Sequence, residues 1–216
     1  MKSLVLKDLY NIGHNAKSMV FVLLILAFSL IPSAGVEAYI VMSGILCSMM
    51  IITTFSFDDH SNWLKYAMIT PVTKKDVVAG KFVVLLIFSA IGAVTGMITG
   101  SIGGLIAHKV IFASARDIFK LLYAGLASFV VAEFAGSMSI PLLFQFGAEK
   151  ARLLMLISCM IPAGVFYAVY KLFSLLGVSV TDHSIIILSY FSPILVLAWN
   201  LVMYKVSYVL FARKDL

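Results

Sequence analysis

The sequence predicts an all-α integral membrane protein with six transmembrane helices, an amphipathic helix before the first of them, a short cytoplasmic helix between the second and third, and both termini in the cytoplasm. Three observations carry this reading. First, 62% of the 216 residues are hydrophobic and 12% are charged, against roughly half and about a quarter in soluble domains. So little charge cannot cover a water-soluble surface, and a mean hydropathy of +1.07 is the opposite of a disordered composition. Second, at about 20 residues per crossing the chain holds roughly six spans and no separate soluble catalytic domain. Third, the 16 Lys and Arg residues fall in short gaps between apolar runs, and alternate gaps share them unequally.

Residues 2–17 place Val5, Leu9, Ile12, Ala16 and Met19 at three- and four-residue intervals, with Lys7, Asn11, His14 and Asn15 opposite. That is the pattern of a helix lying in the interface with its basic side toward anionic headgroups. Apolar runs follow at about 18–36, 38–57, 82–107, 118–146, 153–170 and 185–204, and only the fourth contains charge, Lys120 at its edge and Glu133 deep inside it. The first run ends in Val36-Glu37-Ala38 and imitates a signal peptide. The patterned segment ahead of it argues for an uncleaved span instead.

With the N-terminus inside, the cytoplasmic gaps collect Lys2, Lys7, Lys17, Lys65, Lys74, Lys75, Lys81, Lys150, Arg152, Lys205, Arg213 and Lys214. The outside receives Lys109, Arg116, Lys120 and Lys171. The inverted topology would reverse that bias, so both termini are placed in the cytoplasm.

The 57–81 connection is the longest cytoplasmic loop. Asp58 or Asp59 is suited to cap a short helix. Pro71 biases Thr70 away from helical geometry and should end that helix. Thr73, with Asp76 three residues on, reads as the capped start of the next one. Trp63, Tyr66 and Met68 then either anchor a partner or sit at headgroup level as belt residues.

The run Phe57-Asp58-Asp59, Trp63, Tyr66, Pro71-Val72-Thr73-Lys74-Lys75-Asp76-Val77-Val78 and Gly80-Lys81 resembles the signature of small six-span permeases of bacterial type-2 ABC exporters. Leu6-Lys7-Asp8-Leu9 and Phe146-Gly147-Ala148-Glu149-Lys150-Ala151-Arg152 are similar to two further stretches of that family. Asp59, Thr73 and Lys74 stand where many relatives carry Glu, Ser and Arg, changes that preserve charge or capping capacity. The resemblance implies that residues 2–17 form an elbow helix and that roughly Asp59–Ile69 is a coupling helix docking into a separate ATPase subunit. Trp63 and Tyr66 would anchor that contact, with Asp58, Asp59, Lys74 and Lys75 as its polar rim. Glu149, Lys150 and Arg152 would form a smaller second contact. It further implies two ATPase copies that bind ATP and Mg, and a second permease chain, identical or related. Exporters of this kind are similar to those for amphipathic or antimicrobial peptides, including phenol-soluble modulins.

Inside the membrane, Gly92, Gly96, Gly100 and Gly104 recur every four residues. They form one smooth stripe, since four residues turn a helix by about 400°. Ala124, Ser128, Ala132 and Gly136 form a matching stripe on the fourth span. Small stripes let helix backbones approach closely in lipid, so spans three and four are expected to pack face to face along them. A stripe lining a substrate route is the alternative. Glu133 is the acidic residue deep in an apolar run. It must face a partner, a cavity or the bundle interior, as a pathway residue or as a hydrogen-bonded structural one.

Several functions are excluded. Cys47 and Cys159 lie far apart in apolar runs and read as small buried hydrophobes, not a disulfide or metal pair. The histidines sit in loops or at run ends, and no His-x-x-x-His, Gly-x-Ser-x-Gly or Walker A pattern occurs. The chain is therefore expected to be non-catalytic and to hold no cofactor itself. No basic face with interleaved aromatics suggests nucleic acid. What remains is a multi-pass permease of the bacterial plasma membrane, exporting an amphipathic peptide, toxin or drug-like substrate with ATP hydrolysed by a separate subunit. The alternatives are a secondary transporter coupled through Glu133 and a membrane assembly subunit without a pathway.

Overall fold

The computed structural model describes residues 2–13, 16–67, 69, 72–108, 115–175 and 182–213, with side chains described except at 16, 115, 149, 151–170, 172–175 and 182–190. All regular structure among them is helical: α1 (Lys2–Gly13), α2 (Ala16–Ala34), α3 (Val36–Ser48), α4 (Met50–His60), α5 (Trp63–Ala67), α6 (Lys74–Ile106), α7 (Ala115–Leu175) and α8 (Asp182–Ala212). Five stretches of the described residues are long and apolar enough to cross a membrane: Lys17–Ala34, Val36–His60, Lys74–Ile106, Arg116–Ala148 and Phe191–Ala212. The remaining expected span, 153–170, continues as helix within α7, and its side chains lie outside the described residues.

Each break in the helices has a local cause. Gly35 alone connects α2 to α3 at φ 93°, a left-handed conformation that glycine adopts without the penalty a Cβ brings. Gly147, at φ 77°, kinks α7. α3 and α4 together make one span, interrupted by a turn at Met49. α6 begins with the capping box foreseen at Thr73 and Asp76: the Asp76 amide donates to Thr73 Oγ1 at 3.2 Å, and the Thr73 amide donates to Asp76 Oδ2 at 3.2 Å.

α1 turns a face of Leu4, Asp8 and Ile12 inward against α6 and α4. Val5 and Leu9, expected on its apolar side, are partly buried against the same cluster. That cluster, centred on Ile51, Phe55, Val78, Leu85, Phe144 and Phe211, fills the α1 end of the bundle. Phe55 packs edge-on against Phe144 with centroids 4.8 Å apart. A second cluster of Ile31, Val36, Tyr39, Ile40 and Ala124 fills the Gly35 end. There the Tyr39 hydroxyl lies 2.8 Å from Thr99 Oγ1.

The two small-residue stripes do not meet each other, contrary to expectation. A Cβ on Gly92 would lie 2.6 Å from Cys47 Cβ and 2.9 Å from Gly44 Cα, and one on Gly96 would collide with Ser43 Oγ. One on Gly100 would press on Ile40, Tyr39 and Val36 at 3.1–3.2 Å. All of these neighbours belong to α3. Ser128 of α7 packs onto Gly44 from the other side and donates to the Ile40 carbonyl at 2.8 Å. The reason is that α3 carries its own small residues, Ser43, Gly44, Cys47 and Ser48, and accepts a close neighbour on both flanks. α6 and α7 touch directly nearer the α1 end, where Leu85 fills the space beside Gly136. Ala132 and Gly104 are buried.

Candidate functional site

The most heavily charged part of the described bundle is the connection from α4 to α6. α4 runs on to His60, so Asp58 and Asp59 occupy its last turn. They were expected to cap a following helix. A carboxylate at a helix C-terminus opposes the macrodipole, and each of these two finds compensation elsewhere. Asn62, at φ 51°, turns the chain, and α5 then supplies one helical turn, Trp63–Ala67. The helix is thus shorter than the Asp59–Ile69 element foreseen. Met68 and Pro71 lie outside the described residues.

Asp58, assigned by the resemblance to an outward rim, is 2% exposed. Its Oδ2 accepts from Lys81 Nζ at 2.6 Å, and Oδ1 pairs with Lys7 Nζ. Lys81, expected in the loop, is itself 2% exposed within α6. Its ammonium also reaches Asp8 Oδ2 at 2.9 Å and Thr54 Oγ1 at 3.1 Å. Three oxygens thus surround its ammonium, Asp58 and Thr54 as hydrogen-bond acceptors and Asp8 as an ion-pair partner. Lys7 Nζ lies 3.2 Å from Asp8 Oδ1, an ion pair without hydrogen-bond alignment, and 3.4 Å above the Trp63 ring centroid. Two cations and two carboxylates thus form a neutral, mostly water-free cluster joining α1, α4 and α6.

Asp59, Lys74 and Lys75 also turn toward the chain, whereas Lys65 of α5 is exposed. Asp59 Oδ2 accepts the Ala148 amide at 2.9 Å, just after the Gly147 kink. Lys74 donates to the Ala212 carbonyl at 3.1 Å, at the end of α8, where a cation also suits the dipole. Lys75 lies 5.7 Å from the Tyr208 ring centroid. Lys150 is exposed, and the side chains of Glu149 and Arg152 lie outside the described residues. Projecting from this base are Tyr66, 66% exposed, and Ile69, 83% exposed. Trp63 is half-buried beneath Lys7.

Deeper in the bundle, Glu133 is fully buried and both its oxygens are occupied. Ser89 Oγ of α6 donates to Oε1 at 2.7 Å, and Asn200 Nδ2 of α8 donates to Oε2 at 2.7 Å. Among the described residues, no group of three His, Cys, Asp or Glu side chains is placed to hold a metal ion. Asp8, Thr54, Lys81, Ser89 and Asn200 were not foreseen as site residues. The available signal was faint: Asp8 falls four residues from both Leu4 and Ile12, on the buried face.

Five membrane-length helices, with charge concentrated at one end of the bundle, define a multi-pass membrane protein. The family model described as ABC-2 family transporter protein matches residues 3–212, nearly the whole chain, and the chain belongs to that family. It is thereby the membrane permease of an ABC transporter. No curated protein and no solved structure matches it.

Proposed function

We propose that the chain is a six-span exporter permease of the bacterial plasma membrane, with both termini in the cytoplasm. It works with a second permease chain and two ATPase subunits that bind ATP and Mg. The cargo is an amphipathic peptide, toxin or drug-like molecule. The α4–α6 connection is the docking element for the ATPase. The observation that carries this reading is the contrast within that connection: Asp58, Asp59 and Lys74 are tied to the bundle, whereas Tyr66 and Ile69 stand out, with the exposed Lys65 beside them. Exposed aromatic and aliphatic side chains on a fixed projection are what a protein partner desolvates most favourably. Nucleotide-driven movement of the ATPase then shifts the base as a body and switches the pathway.

The test is co-purification from membranes with the ABC ATPase encoded in the same gene neighbourhood. Tyr66→Ala with Ile69→Ala should abolish retention of the ATPase while the permease keeps its thermal midpoint, because both side chains are exposed. Undiminished retention would refute the docking assignment.

A further inference from the structure

We propose that Lys81 is a positioning residue that makes the place of α1 decide the place of the α5 turn. The inference rests on the permease reading above, since it concerns how the docking element is held.

The geometry is specific. Lys81 Nζ bridges Asp8 of α1 and Asp58 of α4 at 2.9 and 2.6 Å. Lys7 of α1 closes the ring to Asp58 and covers Trp63, the first residue of α5. α1 therefore touches the turn directly through Lys7–Trp63 and indirectly through Asp8–Lys81–Asp58. A small cavity between Leu4, Lys7, Asp8, Trp63, Gly80 and Lys81 adjoins these contacts, so the ion pairs supplement the apolar packing of Leu4 and Ile12 in holding α1 here. Burial makes the arrangement decisive. In a water-poor site the ions strongly prefer paired geometry, and if α1 leaves, Lys81 loses Asp8 and Asp58 loses Lys7, so that only the Lys81–Asp58 pair remains. A helix at the membrane surface is in this way a control element for the connection it abuts.

A reversible tether tests this. A Cβ on Gly80 would lie 3.6 Å from Leu4 Cβ, within disulfide range. The pair Leu4→Cys with Gly80→Cys, in a Cys47→Ala, Cys159→Ala, Trp199→Phe background, should cross-link on oxidation. Trp63 is then the reporting fluorophore, and acrylamide quenching measures its cover by Lys7. Adding Asp8→Asn, which keeps the Lys81–Asp58 pair, should raise quenching. It should also lower ATPase retention by about fivefold or more, the scale of an ordinary coupling free energy. Oxidising the tether in that same sample should restore both, and reduction should release them. A merely structural loss would not respond to the tether.

Wild-type quenching in Asp8→Asn, or a formed disulfide that restores neither readout, would overturn the proposal. Should the unmutated permease retain no ATPase, the permease reading fails instead, and the tether-dependent quenching of Trp63 still decides whether α1 positions the turn.

Discussion

Asp59 and Ala148 meet at 2.9 Å across 89 residues of chain: the carboxylate that ends α4 caps the amide that restarts α7 after Gly147. Its neighbour Asp58 faces the other way, into the Lys81 cluster. Two consecutive carboxylates thus bind the end of one span to α1 and α6 on one side and to α7 on the other.

Asp59→Ala should cost about 0.5–2 kcal/mol, the range for losing an N-terminal cap, and Asp59→Asn should cost much less because it keeps an acceptor. Thermal unfolding of the purified permease in nanodiscs is the measurement. Equal loss in the two variants would mean that charge, not capping, is what Asp59 supplies.

The contact of α6 with α3 predicts a rescue. Gly96→Ala places a methyl where Ser43 Oγ sits, and overpacking of this kind costs about 1–3 kcal/mol. Combining it with Ser43→Gly should recover most of the loss. Had the stripe faced α7 instead, Ser43 would be irrelevant and no recovery would follow.

Glu133 predicts a tolerant substitution beside an intolerant one. Glutamine can still accept from Asn200 and, with the Ser89 hydroxyl rotated, donate to it. Glu133→Gln should therefore assemble and transport like wild type. Glu133→Ala strands the Asn200 amide, while the Ser89 hydroxyl can turn to the Leu86 carbonyl, and should lower stability by about 1–3 kcal/mol. Full assembly of Glu133→Gln with transport lost would assign the carboxylate to the pathway.

What the sequence reveals and what it conceals divide along a physical line. The Thr73–Asp76 capping box was legible because a cap is local, four residues satisfying their own amides. The stripes on α6 and α7 were legible as surfaces of close approach. Their shared partner was not, since a smooth face says that something comes near without saying what. Asp58 and Asp59 were misplaced because capping rules favour acids at helix starts. At the end of α4 the distant partners Lys7, Lys81 and Ala148 override that local preference. Lys81 reads as a loop cation by hydropathy, because a window of neighbours cannot register the two carboxylates that the fold brings to it.

α6 differs mechanically from the other long helices. α2 and α8 contain Pro32 and Pro193, the α3–α4 span turns at Met49, and α7 bends at Gly147. α6 runs for 33 residues, about 50 Å, with no proline or bend, through an apolar layer of about 30 Å. It is a lever without a joint. Under the proposed docking, a push on its Lys74 end is expected to reach the Gly104 end, with α3, keyed into its glycines, carried along.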